Sequence, residues 1–210
     1  MVEDWAKRIG AEISFTYTPT VTHVIVQLDD ENCAQRTLKF LFGVASGKWI
    51  VGVDWVLQCI KEKRILDEEP FEALDMDGEC GPRRSREICQ KYQLFEAFEF
   101  CCQEPFTDVT ADQLRELLEL CGAVTTHSPA ELTKCRRHTM IIVQTDDNIG
   151  LEVQRKAQSW FERLQVLSVS REWVLDCLAA YQLLPIRSQL IGKHSESLLR
   201  MMGFDSQLVV

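Results

Sequence analysis

The sequence predicts an α/β protein built from two tandem repeats, each a small parallel β-sheet flanked by helices, packed through a helical interface. The first observation behind this prediction is an internal repeat: V-D-W-V-L-Q-C-I at 53–60 returns as R-E-W-V-L-D-C-L at 171–178. Trp55 recurs as Trp173 and Cys59 as Cys177, an offset of 118 residues. An offset this long, seen twice, indicates two copies of one domain because solenoid repeats are far shorter.

The second observation is the alternation of strand-like and helix-like stretches in both halves. Apolar runs rich in β-branched residues predict strands, and apolar positions spaced three and four apart predict helices. Strands separated by helices imply a parallel sheet with helices on its faces.

In the first half, Gly10 ends the first helix, and Asn32 is the expected N-cap of the second. The elements expected there are a helix at 2–9, strands at 12–15 and 22–26, a helix at 33–42, a loop at 43–48, a strand at 49–51 and a helix at 53–63.

In the second half, Thr110 is the expected N-cap of a helix that Gly122 ends, as Gly10 ends the first helix. The elements expected there are a strand at 97–102, a helix at 111–121, a strand at 139–143, a helix at 151–163, a strand at 166–168 and a helix at 171–181.

The predicted domain boundaries are repeat 1 at 1–66, a linker at 67–93, repeat 2 at 94–187 and a C-terminal tail at 188–210. The linker is acidic at first and basic at its end, where Arg83, Arg84, Arg86 and Lys91 occur. A charge run of this kind favours a solvated connector, with a localisation signal as the alternative.

Composition excludes several function classes. The 210 residues carry a formal net charge of −9 and 46% hydrophobic residues. No apolar run of 18 residues is present, so no membrane span or membrane partner is expected. General nucleic-acid binding requires a basic face, so it is not expected either.

The nine cysteines are an odd number with no C-x-x-C pair, and most lie in apolar stretches. This favours buried, reduced thiols over a disulfide framework. The four histidines have no metal-ligand spacing, so neither a metal nor any other cofactor is expected. No nucleophile motif or glycine-rich phosphate loop occurs, and an α/β enzyme is therefore the weakest alternative.

Several ordered blocks resemble the tandem repeats of the BRCT family. They are R-T-L-K-F-L-F-G-V-A-S-G-K-W-I-V at 36–51, G-P-R-R-S-R-E at 81–87, F-C-C-Q-E-P-F-T at 100–107, D-Q-L-R-E-L-L-E-L-C-G-A at 112–123 and R-E-W-V-L-D at 171–176. The resemblance extends over roughly residues 3–185. Ordered blocks are far more specific than any single motif.

The resemblance implies a nuclear, non-enzymatic module that binds phosphoserine-x-x-Phe motifs of phosphorylated proteins in the DNA damage response and DNA repair. It also implies the role of each site residue. Lys39 pairs with the phosphate and Thr37 supports the phosphate pocket. Arg36 holds the peptide backbone, and the Phe pocket is formed by Leu41, Asp108, Val109, Glu172 and Leu175.

The sequence departs from the family pattern at the start of the first repeat. The second repeat has a strand before its first helix, and the first repeat has none. In the family, a Ser-Gly turn after that strand supplies further phosphate contacts, so we expect weakened phosphate binding. Longer family members also carry a RING-type ubiquitin ligase domain, which is absent from these residues. A phosphate-independent protein scaffold is therefore the alternative function.

Overall fold

The structure is a computed structural model that describes residues 1–145, 150–192, 199 and 200. It divides into two compact units: the first comprises 1–91 with 179–181, and the second comprises 92–178 with 182–210, apart from the residues not described. No helix in the described ranges is long and apolar enough to cross a bilayer.

The first unit is built on a parallel pair of strands, β1 (His23–Val26) and β2 (Trp49–Gly52). Helix α2 (Leu38–Ala45) connects them and buries most of its residues. A Cβ atom on Gly43 would lie only 3.0 Å from Val24 Cγ2 and 3.1 Å from Ile50 Cδ1. Glycine therefore lets α2 lie close against the sheet, as a larger residue would not.

The start of α2 differs from the prediction. Residues 33–37 are not helical, and Asn32 adopts a positive φ of 64° instead of capping a helix. Asp29 accepts the backbone N–H groups of Glu31 and Cys33, which holds this stretch in a turn. The helix also continues through Gly43 to Ala45, where a loop was predicted, because the glycine serves packing and does not end the helix.

The strand predicted at 12–15 does not form, although the preceding helix α1 (Val2–Ile9) and its Gly10 C-cap are confirmed. In the second unit the stretch in the same position is β4 (Val124–Thr126), which pairs with β3 (Phe98–Gln103). The first unit contains no strand equivalent to β3 among its described residues, so the backbone at 12–15 has nothing to pair with.

The repeated sequence motif forms the same structure twice. Helix α3 (Val53–Glu62) carries Trp55, whose indole N–H donates to the carbonyl of Leu66 at 3.0 Å. The Leu66 N–H donates in turn to Cys59 Sγ at 3.3 Å. In helix α7 (Arg171–Ala180) the corresponding bonds join Trp173 to Leu184 at 3.0 Å and Leu184 to Cys177 at 3.2 Å. In each unit, the Trp and Cys side chains of the helix therefore hydrogen-bond to the segment that follows it and hold that segment in place.

Much of the predicted linker is packed against the first unit and is not a solvated connector. It contains a short 3-10 helix (Glu69–Phe71) and helix α4 (Gly81–Ile88). Buried Ser85 donates its hydroxyl proton to the carbonyl of Val44 in α2. Three of the linker's four basic side chains pair with acidic ones, in the ion pairs Arg83–Glu87, Arg84–Glu79 and Arg86–Glu72. Pairing of this kind does not favour the localisation-signal alternative.

The second unit contains a five-stranded sheet in the order β4-β3-β5-β6-β7. Strands β5 (His138–Val143) and β6 (Leu167–Ser170) continue the parallel pairing, and helix α6 (Leu151–Leu164) connects them. Helix α5 (Ala111–Leu120) begins at the predicted N-cap Thr110, which forms a capping box with Gln113. An aromatic cluster fills the core: Phe95, Phe98, Phe100 and Trp173.

Two strands of this unit were not predicted. Strand β4 is only three residues long, and β7 (Leu190–Ile191) has two residues, which is too short for a visible alternation. The β7 strand pairs antiparallel with β6 and lies in the predicted tail. Residues 193–198 and 201–210 of that tail lie outside the described residues.

Most of the cysteines have the buried, reduced thiols that were predicted from the composition. All nine cysteines are free, and six of them are buried. Burial raises the pKa of Cys101 to about 11 and that of Cys102 to about 12. The exposed exceptions are Cys80 and Cys135.

Candidate functional site

The first part of the candidate site is the N-terminus of α2 in the first unit. Thr37 is its N-cap, and the Thr37 side chain accepts the N–H of Phe40 at 3.3 Å. The hydroxyl uses a lone pair for this contact and keeps its proton for another acceptor. Lys39 lies exposed in the first turn, and half-buried Arg36 precedes the cap. The prediction placed all three on the helix, but only Lys39 is within it.

The electrostatic environment of this helix start suits an anion. Its first turn contains no acidic residue. Helix α4 shares this feature, whereas helices α1, α3, α5, α6 and α7 each carry an acidic residue there. Across the described residues, Lys39 has no hydrogen-bond or ion-pair partner. The helix dipole and its first N–H groups add partial positive charge at the same position.

The equivalent position in the second unit is different. The 118-residue offset aligns Lys39 with Ala157, which is buried in the middle of α6. Helix α6 begins at Leu151, follows Gly150 and carries Glu152 in its first turn. This helix start therefore has no lysine in its first turn, and a carboxylate is present instead.

The second part of the candidate site lies in the second unit, between β3 and α5. Asp108 is exposed and has a positive φ of 64°, and Val109 beside it is buried. Thr107 anchors this loop, because its N–H donates to Gln144 Oε1 at 2.9 Å and its carbonyl accepts a hydrogen bond from Arg171. Arg171 also donates to Gln144 Oε1 at 2.9 Å.

Arg171 connects this loop with the start of α7. Its guanidinium donates to Glu172 Oε1 through Nε at 3.0 Å and through Nη2 at 2.6 Å. The Glu172 N–H donates to Ser170 Oγ at 3.2 Å. These hydrogen bonds therefore connect Thr107, which directly precedes Asp108, with Glu172 through Arg171.

The roles of Thr107, Gln144 and Arg171 were not predicted from the sequence. Arg171 and Gln144 both follow predicted strands, where polar side chains of parallel strands collect at one sheet edge. That pattern was the available signal. No short motif marks Thr107, whose role depends on its backbone.

The three apolar residues predicted for a Phe pocket are buried. Leu41 is 1% exposed, Leu175 is 4% exposed and Val109 is 8% exposed. Each of these three side chains is therefore packed against other residues of the protein.

A metal centre has no candidate ligand set in the described ranges. No group of three or more His, Cys, Asp or Glu residues there has an arrangement that could hold a metal ion. The arrangement of charges and hydrogen-bond donors around Thr37 and Lys39 suits binding of an anion.

Comparison with known proteins identifies the family. The model of the BRCA1 C Terminus (BRCT) domain matches residues 2–60 and 90–178, so the chain belongs to the BRCT family. The breast cancer type 1 susceptibility protein homologues of rat and mouse are 33% and 34% identical over 204 and 203 residues. These matches cover 91% and 90% of this chain but 10% of each relative, so the chain spans about a tenth of their length. The resemblance predicted from the ordered blocks is confirmed.

Solved structures support the same fold. The BRCT5-BRCT6 domains of S. pombe Brc1 superimpose with a TM-score of 0.57 at 19% identity, covering 85% of this chain and 86% of the other. A complex of Rtt107p with a phosphorylated histone gives a TM-score of 0.57 at 12% identity, covering 87% and 81%. The predicted tandem α/β fold is confirmed by these neighbours.

Proposed function

Because the chain belongs to the BRCT family, we propose that it is a non-enzymatic module that binds phosphorylated protein partners. The α2 N-terminus carries the proposal: Lys39 is exposed there, Thr37 has a hydroxyl proton to donate, and the first turn has no acidic residue. A phosphoserine offers nearly two negative charges and three acceptor oxygens, which match these donors.

We assign the phosphate to Thr37 and Lys39, and the peptide backbone to Arg36. The preferred motif is phosphoserine-x-x-Phe, with the aromatic ring against Leu41, Val109 and Leu175 and with Asp108 and Glu172 at the rim. The second unit's hydrogen bonds around Thr107 and Arg171 support this assignment, because they hold Glu172 and the residue that precedes Asp108. A preformed site loses less free energy on ordering when a peptide binds.

The similarity to breast cancer type 1 susceptibility homologues and to the Rtt107p complex with a phosphorylated histone supports a role in the DNA damage response and DNA repair. We place the module in the nucleus for the same reason. A link to a ubiquitin ligase complex stays a prediction from family membership.

The test is a titration with a matched pair of fluorescent peptides, phosphorylated and unphosphorylated, that contain Ser-x-x-Phe. A hydrogen bond to a charged group contributes about 1.5–3 kcal/mol. Loss of the lysine in Lys39→Met should therefore weaken phosphopeptide binding by about ten- to a hundredfold. The unphosphorylated peptide should bind both proteins equally.

Lys61→Met is the matched control, because Lys61 is another exposed helical lysine of the first unit. This variant should bind like the unmodified chain. A Lys39→Met variant that kept the whole preference for phosphate would overturn the assignment of the phosphate site.

The alternative function, a phosphate-independent scaffold, is favoured by the burial of the three apolar residues. A second peptide pair with Phe or Ala at the third position after phosphoserine separates the two functions. The motif-specific site is supported if the chain prefers the Phe peptide and Leu175→Ala removes this preference. The melting temperature of the variant must stay above the assay temperature. Equal binding of all four peptides supports the scaffold.

A further inference from the structure

Residues 132–137 of the second unit, which we call the basic loop, connect a short 3-10 helix to β5. The basic loop contains Lys134, Arg136 and Arg137, and all three side chains are exposed. Residues 132–145 include no Asp or Glu, although the chain carries a formal net charge of −9. The corresponding stretch of the first repeat, F-T-Y-T-P-T at 15–20, has no charged residue. The basic character is therefore specific to the second unit and is not part of the repeated framework.

A buried carboxylate holds the backbone of the basic loop. Glu99 of β3 is 0% exposed, and its Oε1 accepts hydrogen bonds from the N–H and from the hydroxyl of Thr133, each at 2.9 Å. The Lys134 N–H donates to the same carboxylate, and the Thr139 hydroxyl donates to Oε2 at 3.2 Å. Burial alone would raise the pKa of Glu99, but these hydrogen bonds lower it, so the carboxylate is ionised at neutral pH. The loop is thus fixed in place before any ligand binds.

Two cations of the basic loop are not neutralised, unlike the arginines of α4. Across the described residues, the Lys134 ammonium and the Arg136 guanidinium have no hydrogen-bond or ion-pair partner. Glu131 precedes the loop, but its Oε2 accepts the N–H groups of His127 and Ser128 at 3.0 and 3.4 Å. Lys134 also has a positive φ of 55°, which is uncommon for a residue with a Cβ atom and is often found at functional sites.

The basic loop lies at the opposite sheet edge from the residues assigned to the Phe pocket. Strand β5 is parallel to β3 and β6, and the basic loop precedes its amino end. Thr107, Gln144 and Arg171 follow the carboxyl ends of these three strands. The six residues of β5, at a rise of about 3.3 Å each, separate the two edges by about 20 Å. A ligand of the basic loop therefore uses different residues.

We propose that the basic loop binds an acidic segment of a protein partner, a short run of Asp and Glu side chains, through Lys134, Arg136 and Arg137. The planar fork of an arginine matches the two oxygens of a carboxylate. A loop that is already fixed loses less conformational entropy on binding. The net charge of −9 favours this occupant over nucleic acid, because a long polyanion is repelled by the whole chain whereas a short segment contacts the loop alone.

The test is a fluorescence anisotropy titration of the full chain with a labelled peptide of alternating Asp and Glu at low ionic strength. Binding should saturate, weaken with added salt and shift the amide resonances of residues 133–137. Arg136→Gln should weaken binding about two- to fivefold, and Lys134→Met combined with it about tenfold. Arg155→Gln is the matched control, because Arg155 is an exposed arginine of α6, and it should have no effect.

Glu99→Gln separates a fixed site from an ordinary solvated charge run. This change removes a negative charge beneath the basic loop, which by charge alone should tighten binding of an anion. It also removes one carboxylate acceptor and so loosens the loop, and we expect binding to weaken by at least about twofold. Thr133→Val leaves every charge in place, removes one donor to Glu99 and should change affinity in the same direction. Unchanged or tighter binding in a folded variant of either kind would overturn the proposal.

Two further arms identify the ligand and the site. Lys39→Met should bind the acidic peptide as the unmodified chain does, so loss of phosphopeptide binding would leave this proposal intact. Loss of acidic-peptide binding in Lys39→Met would refute it, because the peptide would then occupy the proposed phosphate site. A short DNA duplex that binds more tightly than the peptide, and loses affinity in Arg136→Gln, would assign the basic loop to nucleic acid instead.

Discussion

The ion pair between Arg86 and Glu72 gives the sharpest stability prediction. Arg86 in α4 donates to both carboxylate oxygens of Glu72, through Nε and Nη2, each at 3.0 Å. Its guanidinium carbon lies 3.6 Å from the centre of the Trp49 ring in β2. The Glu72 side chain is 6% exposed and that of Arg86 is 19% exposed. The hydrogen bond to Glu72 raises the pKa of Arg86, so the guanidinium stays charged at every accessible pH.

Replacing Arg86 by methionine keeps the side-chain length but leaves the Glu72 carboxylate buried without its partner. Breaking a buried pair in this way costs about 3–5 kcal/mol. The lost contact with Trp49 adds about 0.5–2 kcal/mol. We expect Arg86→Met to lower the free energy of unfolding of the first unit by at least about 3 kcal/mol.

Urea denaturation followed by tryptophan fluorescence and by hydrogen exchange of β2 amides measures this loss. Arg86→Lys should lose roughly half as much, because lysine keeps the charge but cannot form two parallel hydrogen bonds over the ring. Adding Glu72→Gln to Arg86→Met should recover part of the stability, since the unpaired charge is removed. A loss of unfolding free energy below about 1 kcal/mol in Arg86→Met would refute the reasoning, because solvent-exposed ion pairs contribute up to about that much.

Four further substitutions test other parts of the structure. Burial opposes ionisation of Glu99, but hydrogen bonds from Thr133, Lys134 and Thr139 outweigh it and lower the Glu99 pKa. The stability that ionised Glu99 contributes to the second unit is therefore present above the unfolded-state pKa of Glu99, and it is lost as the pH falls through the folded-state pKa. Glu99→Gln should destabilise the second unit by about 1.5–3 kcal/mol at pH 7 in urea titrations, and the difference should shrink in acid. Burial raises the pKa of Asp75 despite the N–H donors Glu79 and Asp77, so its charge opposes folding at neutral pH. Asp75→Asn keeps the acceptor and should unfold at equal or higher urea at pH 7; a clear loss would show that the charge is stabilising. Trp173→Phe and Trp55→Phe each remove one indole hydrogen bond, and each should lower the free energy of unfolding of its own unit by about 1–3 kcal/mol. Hydrogen exchange of the amides within each unit can measure and compare the two losses.

The repeated helix was predicted in both units, and the hydrogen bonds of its Trp and Cys, which were not predicted, are local as well. Trp55 and Cys59 lie on one helix, and both bond to the loop that directly follows it. Matching residues at 173 and 177 therefore reproduce the same bonds. The caps at Thr110 and Gly10 were predicted for the same reason, since a cap depends on residues within one turn.

The errors arose where distant residues decide the outcome. The stretch at 12–15 has a strand pattern, but a strand requires a neighbour, and the described part of the first unit supplies none. Gly43 suggested a loop, whereas close packing on Val24 and Ile50 makes glycine suitable within the helix. Both outcomes depend on tertiary contacts and not on the local sequence pattern.

In the candidate site, too, features that depend on neighbouring residues were predicted and features that depend on tertiary contacts were not. Residue types at 36–39 indicated a cationic helix start, but the helix begins after its N-cap Thr37, so Arg36 lies outside it. Arg171 follows a predicted strand, but its hydrogen bond to the backbone carbonyl of Thr107 depends on the tertiary fold and could not be predicted from residue types.

The distribution of the thiols makes the protein a ready subject for labelling chemistry. Buried Cys101 and Cys102 have raised pKa values and stay protonated, so they react slowly with alkylating reagents. Exposed Cys80 belongs to the first unit and exposed Cys135 to the second. Each unit therefore carries its own natural attachment point for a dye or spin label. A maleimide pulse during denaturation, read by mass spectrometry, would show which unit opens first by the order in which the remaining cysteines become modified.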